Sequence, residues 1–89
     1  MLTLERGIDE TTLIGDVPLI ITSIDKGNQT VEFTFGGHRV KTHLQVLTDL
    51  SPQVSIYVKK FQTSRKAVID FIAPRSIPII RAEAKRKTA

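Results

Sequence analysis

The sequence predicts an all-β protein of two small, packed, antiparallel or mixed sheets. Apolar and polar residues alternate in VEFTF at 31–35 and in VSIYV at 54–58, and this period of two is typical of half-buried strands. Turn signals that contain Gly or Pro separate such runs. No comparable stretch has helical spacing, so strands are expected almost throughout one domain that covers residues 1–89.

Eight strands are predicted in chain order, each bounded by a turn signal. Hairpins are expected at 26–28, KGN, and at 36–37, GG, and Pro74 ends a strand because proline has no N–H for a ladder. Residues 45–52 are a connector with room for a short strand or one helical turn, and 82–89 are a short frayed helix or disordered. The predicted strands are 2–7, 11–15, 18–25, 29–35, 38–44, 53–61, 66–73 and 76–82.

Composition narrows the class of protein. With 89 residues the core is small unless two halves associate, and the chain has no Cys, so neither disulfides nor thiolate metal sites are predicted. The beginning MLTLERGID alternates and contains acids, unlike a signal peptide, and the apolar runs are too short to span a membrane. We therefore expect a soluble, cytoplasmic protein.

The formal net charge of +4 is unevenly spread. Residues 1–47 carry four basic and six acidic residues, and 48–89 carry nine basic and three acidic residues. A basic half of this size indicates an anionic partner, most economically a nucleic acid. A solvated basic face is the competing interpretation.

The residues that could support catalysis or metal binding have simpler interpretations. His38 and His43 have no third ligand at a recognisable spacing, and Asp9, Glu10 and Asp16 lie at predicted turns, where acids favour tight geometry. The chain has no catalytic triad pattern, phosphate loop or dinucleotide fingerprint. We predict neither an enzyme nor a cofactor.

Four short motifs in the first third of the chain keep a specific order and spacing. They are Met1-Leu2-x-Leu4-x-Arg6, Glu10-Thr11, Ile14-Gly15-Asp16 and Lys26-Gly27-Asn28-Gln29. In this arrangement the chain resembles the carbon storage regulators, also called repressors of secondary metabolites, which are small bacterial RNA-binding regulators of translation. Residues 38–44, HRVKTHL, stand at the place of that family's last strand.

Later residues resemble a second, truncated copy. VSIYVKKF, SRKAVIDFIAP and RSIPIIRAE are similar to the family's third, fourth and fifth strands, and no first strand precedes them. The predicted organisation is a first copy at 1–47, a connector at 48–52, a second copy at 53–84 and a basic tail at 85–89. Because family members form intertwined dimers, the resemblance implies a monomeric single-chain pseudo-dimer rather than a homodimer.

The resemblance also implies one composite RNA site. The family reads a GGA triplet between the first strand of one copy and the last strand of the other. Leu44 stands where the family's arginine would fall in the first copy, so the opposite site is expected to be inactive. The RNA-contacting residues that the resemblance implies are Leu4 and Arg6 of the first strand and Ile79 and Arg81 of the last strand. Arg75, just before the last strand, is a candidate for non-specific attraction of phosphate.

Chemistry supports arginine at such a site, because a guanidinium fork matches the O6 and N7 acceptors of guanine. Two functions stay open. One is a sequence-specific RNA-binding regulator of translation that acts on mRNA leaders or small RNAs. The other is a protein-interaction module that antagonises or heterodimerises with a normal family member, and such a module would not need Leu4, Arg6 and Arg81.

Overall fold

The computed structural model describes residues 1–86 and confirms the all-β prediction. Its strands are β1 Leu2–Gly7, β2 Thr11–Ile14, β3 Val17–Asp25, β4 Thr30–Phe35, β5 His38–His43, β6 Thr48–Ser51, β7 Val54–Thr63, β8 Lys66–Ile72 and β9 Ile79–Arg81. One short helix, α1 at Ala82–Arg86, follows β9 directly. The prediction for the last three residues of the tail lies outside the described residues.

The strands form two antiparallel sheets in which the chain crosses between layers. One sheet has the order β1-β8-β7-β6 and the other has the order β5-β4-β3-β2-β9. The first strand of the chain therefore completes the sheet made by its second half, and the last strand completes the sheet made by its first half. Neither half of the chain can form its sheet alone.

The apolar core lies between the two sheets, and five polar residues, among them Arg6 and Thr12, are buried as well. Phe33 and Phe71 are its largest apolar side chains, and both are at most 1% exposed. The other buried apolar residues follow from the alternation along each strand, because every second residue of a strand faces inward. The buried apolar residues are Ile14, Leu19, Ile21, Val31 and Phe33 from one sheet and Val54, Ile56, Val58, Ala67, Ile69 and Phe71 from the other.

The two halves repeat one pattern of strand pairing. β1 pairs with β8 so that Arg6 lies opposite Ala67, and β5 pairs with β4 so that Thr42 lies opposite Val31. β2 pairs with β3 with Thr12 opposite Leu19, as β6 pairs with β7 with Thr48 opposite Ile56. By pairing position, β1–β4 therefore correspond to β5–β8.

Backbone hydrogen bonds after the first strand of each half repeat as well. The Asp9 N–H donates to the carbonyl oxygen of Ile21 and the Gln45 N–H to that of Val58, both at 2.8 Å. Asp9 and Gln45 also share a positive φ, 71° and 58°, which non-glycine residues seldom adopt. The shared strained turn makes the internal repeat clear even where the side chains differ.

This repeat corrects the predicted division into copies. Residues 38–44 were expected to be the last strand of the first copy, yet β5 occupies the position equivalent to β1. Gly36 and Gly37, with φ of 58° and 85°, form the tight hairpin that ties β5 to β4. The second half thus has a first strand, and the element absent from the first half is a fifth strand. Leu44 corresponds to Ile8 and not to an arginine position.

The connector predicted at 45–52 holds a short strand, which is one of the two alternatives left open there: β6 lies in it and pairs with β7. One further expectation differs in detail. The predicted last strand at 76–82 is shortened to Ile79–Arg81, because the chain turns at 75–77, where the Ile77 N–H donates to the Pro74 carbonyl oxygen at 3.0 Å, and because Pro78 supplies no N–H to a ladder. Within residues 1–86, no helix is long and apolar enough to cross a membrane.

The interleaved sheets predict that the chain is a monomer in solution. Both sheets and the core between them are completed within one chain, so light scattering at micromolar concentration should give a mass near 9.9 kDa. A stable species of twice that mass would show that two chains exchange their halves instead.

Candidate nucleic-acid interface

The candidate site lies where β1, at the end of one sheet, meets β9, at the end of the other. This is the pair of strands that the resemblance implied for a composite site. An open depression marks the junction. It is lined by Glu5, Arg6, Glu10, Lys66, Arg81 and Glu83.

Arg6 joins the two sheets from within the junction. Its side chain is only 2% exposed, and Nη1 and Nη2 donate to the two carboxylate oxygens of Glu83 at 2.8 and 2.9 Å. Nε donates to Oγ1 of Thr12 at 2.9 Å, and Nη2 also donates to the carbonyl oxygen of Thr11 at 2.7 Å. Such bidentate, charge-assisted contacts are short and strongly directional.

Glu83 is held in its charged form by this contact. The hydrogen bonds from Arg6, and next to them a hydrogen bond from its own backbone N–H, lower the pKa of Glu83 to about 2, although loss of hydration acts in the opposite direction. The carboxylate is therefore ionised throughout the physiological range. The Arg6–Glu83 pair fixes α1, and with it the end of β9, against β1.

The buried position of Arg6 departs from the sequence prediction. Arg6 is predicted to contact RNA, but its guanidinium is covered and already engaged. The sequence could not reveal this, because its partner Glu83 lies 77 residues away in a segment that was predicted as a frayed tail. Arg6 is better described as the residue that positions the junction.

Arg81 is the predicted site residue that the structure leaves accessible there. It is exposed and pairs in register with Thr12, and directly opposed residues of a sheet share one face. Since Arg6 also bonds Thr12, both arginines approach the junction from the same side. Lys66, the first residue of β8 and opposite Gly7, is exposed on the same rim.

The other predicted residues have different surroundings. Leu4 and Ile79 are partly buried and pack against the core, so their role in the fold is mainly structural. Arg75 is exposed on the segment between β8 and β9 but does not line the depression. It can attract phosphate only from outside the junction.

Two of the three acids in the depression are engaged by neighbouring groups. Glu83 is paired with Arg6, and Glu10 accepts a hydrogen bond from the Gly7 N–H at 2.6 Å while lying 4.0 Å from Arg6. The side chains that remain available to a ligand are Arg81, Lys66 and Glu5. The six lining residues together carry no net charge, since three basic side chains are matched by three carboxylates, so the positive charge available to a ligand is local to Arg81 and Lys66.

The equivalent position at the other end of the molecule has neither arginine. Thr42 stands where Arg6 does, and its hydroxyl is hydrogen-bonded to that of Thr48, which corresponds to Thr12. No strand covers the outer edge of β6 within the described residues. Only one arginine-bearing junction is thus formed by the described part of the chain.

Among the described residues, no group of three or more His, Asp or Glu side chains could hold a metal ion. Comparisons with family models, with curated proteins and with solved structures find no match to this chain. The resemblance to the carbon storage regulators therefore stays a prediction that rests on the quoted motifs.

The pair between buried Arg6 and half-exposed Glu83 predicts an asymmetric loss of stability on mutation. Arg6→Met leaves the Thr12 hydroxyl and the Thr11 carbonyl without their charged donor, so urea unfolding should show a loss of about 2 kcal/mol. Glu83→Gln should cost less, about 1 kcal/mol, because Glu83 is half exposed and its interaction is screened. The matched control Glu5→Gln, on the same rim, should change stability by less than ~0.5 kcal/mol; equal losses for all three would contradict the account.

Acid unfolding offers a second test of the same pair. The pKa of Glu83 is about 2 in the folded chain against an ordinary 4.5, so its contribution is complete above about pH 4.5 and disappears as the pH falls toward 2. The fall in stability across this window should be shallower for Glu83→Gln than for the parent. Identical pH profiles from denaturant titrations would exclude a stabilising role for the ionised carboxylate.

Proposed function

We propose that the chain is a sequence-specific RNA-binding regulator of translation, which acts in the cytoplasm and recognises GGA in single-stranded loops of mRNA leaders or small RNAs. One binding site per chain forms at the β1–β9 junction. The observation that carries the proposal is the exposed Arg81, held at the end of β9 beside β1 by the pair that buried Arg6 forms with half-exposed Glu83.

Two edge strands meeting at one place favour a single-stranded ligand. β1 and β9 each end a sheet, so the backbone N–H and C=O groups on their outer sides point away from the ladders. Unstacked bases of an RNA loop can form hydrogen bonds to such groups along their exposed edges. A duplex could not bring its base edges to two short strands in this way.

Arg81 supplies the contact that would distinguish guanine. Its planar guanidinium can donate two parallel hydrogen bonds to O6 and N7, which lysine cannot do in the same geometry. Lys66 on the same rim, and Arg75 farther out, are suited to phosphate contacts, which position an RNA without reading its sequence. The buried Arg6 acts on binding indirectly, because it holds the strand that carries Arg81.

Arg81→Ala should weaken binding of a GGA-containing hairpin by roughly 1 to 3 kcal/mol and remove its preference over a CCA control hairpin. The matched control is Arg39→Ala, since Arg39 is also exposed on an edge strand, β5, at the far end of the same sheet. Fluorescence anisotropy with both hairpins measures the two effects. If Arg81→Ala binds the GGA hairpin like the parent, the proposed site is wrong.

Salt dependence should separate phosphate contacts from base contacts. Lys66→Ala should weaken both hairpins equally and reduce the slope of log affinity against log salt by about 0.7, the value for one phosphate of a single strand. Arg81→Ala should lower the preference for the GGA hairpin without changing this slope, because a contact to a base releases no counterion. A Lys66→Ala variant that loses only GGA binding would assign base recognition to Lys66.

A further inference from the structure

The hairpin that joins β7 to β8 concentrates positive charge. Residues 57–69 contain Lys59, Lys60, Arg65 and Lys66 and no acid, so they hold four of the nine basic residues of 48–89. These four residues, here called the basic hairpin, are all exposed. Within residues 1–84, none of them lies in a salt bridge, so their charges are available to an anionic ligand.

The equivalent hairpin of the other half, between β3 and β4, is not basic although its backbone is similar. The β3–β4 ladder skips residue 22, and the β7–β8 ladder skips residue 59 at the corresponding place. Residues 22–23 are Thr-Ser, whereas residues 59–60 are Lys-Lys. In the turn that follows β3, Lys26 stands next to the acid Asp25. The shared backbone forms without the lysines, so their charge is specific to the half whose hairpin adjoins β1.

The basic hairpin is continuous with the β1–β9 junction. Lys66 lines the depression there and lies opposite Gly7. The Ile8 N–H donates to the carbonyl oxygen of Arg65 at 3.0 Å, so the turn of the hairpin is fixed against the end of β1. A ligand in the depression therefore lies beside the basic hairpin.

Lys60 extends the positive charge across the sheet. It pairs with Val68, which in turn pairs with Glu5 of β1. This row lies on the face away from the core, because the residues on either side of Val68, Ala67 and Ile69, are core residues. Lys60 thus stands two strands, about 10 Å, from β1, and the one acid of its row faces the four cations of the basic hairpin.

A second depression at the junction, beside α1, is acidic. Asp9, Glu10 and Glu83 line it together with Thr11 and Ala82. RNA that left the junction past α1 would meet these carboxylates, whereas RNA that left it over β8 and β7 would meet the basic hairpin. Charge therefore favours the second path for the phosphates that flank a bound loop.

We propose that the basic hairpin binds the phosphate backbone of the base-paired stem that carries the GGA loop. The inference rests on the proposed function and adds the stem to the ligand of the same site. Contacts of this kind position and orient an RNA without reading its sequence. The loop would thus be read at the junction while the stem is held over β8 and β7.

The aromatic residues near the basic hairpin favour a paired stem over unpaired RNA. Unpaired bases bind by stacking on accessible aromatic side chains. Phe61 is partly buried and packs against the core, and Tyr57 is partly buried as well, so the surface offers cations without an exposed stacking platform. A stem keeps its own bases stacked inside and presents phosphates, which is what four exposed cations can bind.

The double variant Lys60→Gln with Arg65→Gln tests the stem contact. Fluorescence anisotropy compares a GGA hairpin, a CCA hairpin with the same stem, and an unpaired oligonucleotide of the GGA loop sequence. The variant should weaken both hairpins by about fivefold at low salt, since two phosphate contacts are lost, and should leave the unpaired oligonucleotide unchanged. The matched control is Lys26→Gln with Lys41→Gln, which removes the same charge from exposed positions of the other half and should leave all three affinities near those of the parent.

Two further variants complete the test. Lys60→Arg with Arg65→Lys keeps both charges and should bind like the parent, and Arg65→Gln alone should give a smaller loss of the same kind if the double variant fails to fold. Unchanged hairpin affinity in the Gln variants, while the parent still prefers GGA over CCA, would overturn the stem contact alone. An equal loss for the hairpin and the unpaired oligonucleotide would also overturn it, because the residues would then contact unpaired RNA. A parent that binds the GGA and CCA hairpins equally would instead overturn the proposed function.

Discussion

The contact on which the rest of the structure depends is the bidentate pair between Arg6 and Glu83. β9 has only three residues in its ladder with β2, and a strand of that length has little stability of its own. The pair fixes the helix that follows β9 to the strand that begins the chain, and it joins the free ends of both sheets. Because one partner is buried and held by Thr12, the geometry is set by the core rather than by solvent.

An internal repeat with one deleted element explains why the two ends of the molecule differ. The Gly36-Gly37 hairpin leads β4 straight into β5, so the first half has no fifth strand to place along β6. The second half also lacks a counterpart of Arg6, because Thr42 occupies that position in the repeat. One end therefore keeps an arginine-bearing junction between two edge strands, and the other keeps an open strand edge beside two exposed aliphatic residues, Val46 and Leu47.

The sequence predicts the all-β class and most strand positions, because strands with one buried face show a period of two, as 54–58 does. The sequence cannot show whether β5 is the last strand of the first half or the first strand of the second half. Both kinds of edge strand have the same alternation, and only the strand pairing distinguishes them. The resemblance does predict that the first and last strands lie together. The burial of Arg6 could not be predicted, because it depends on Glu83 and no local pattern in the sequence links two residues so far apart. The exposure of Val46 and Leu47 is visible only once the missing fifth strand is recognised.

The central claim is that one RNA site forms at the β1–β9 junction and none forms at the opposite end. The most direct test is an NMR titration of the ¹⁵N-labelled chain with a GGA hairpin. The account predicts a one-to-one end point, with the largest amide shifts in residues 3–7 and 79–83 and unchanged amides along β5 and β6. Shifts spread over β5, or a second equivalent of bound RNA, would contradict it.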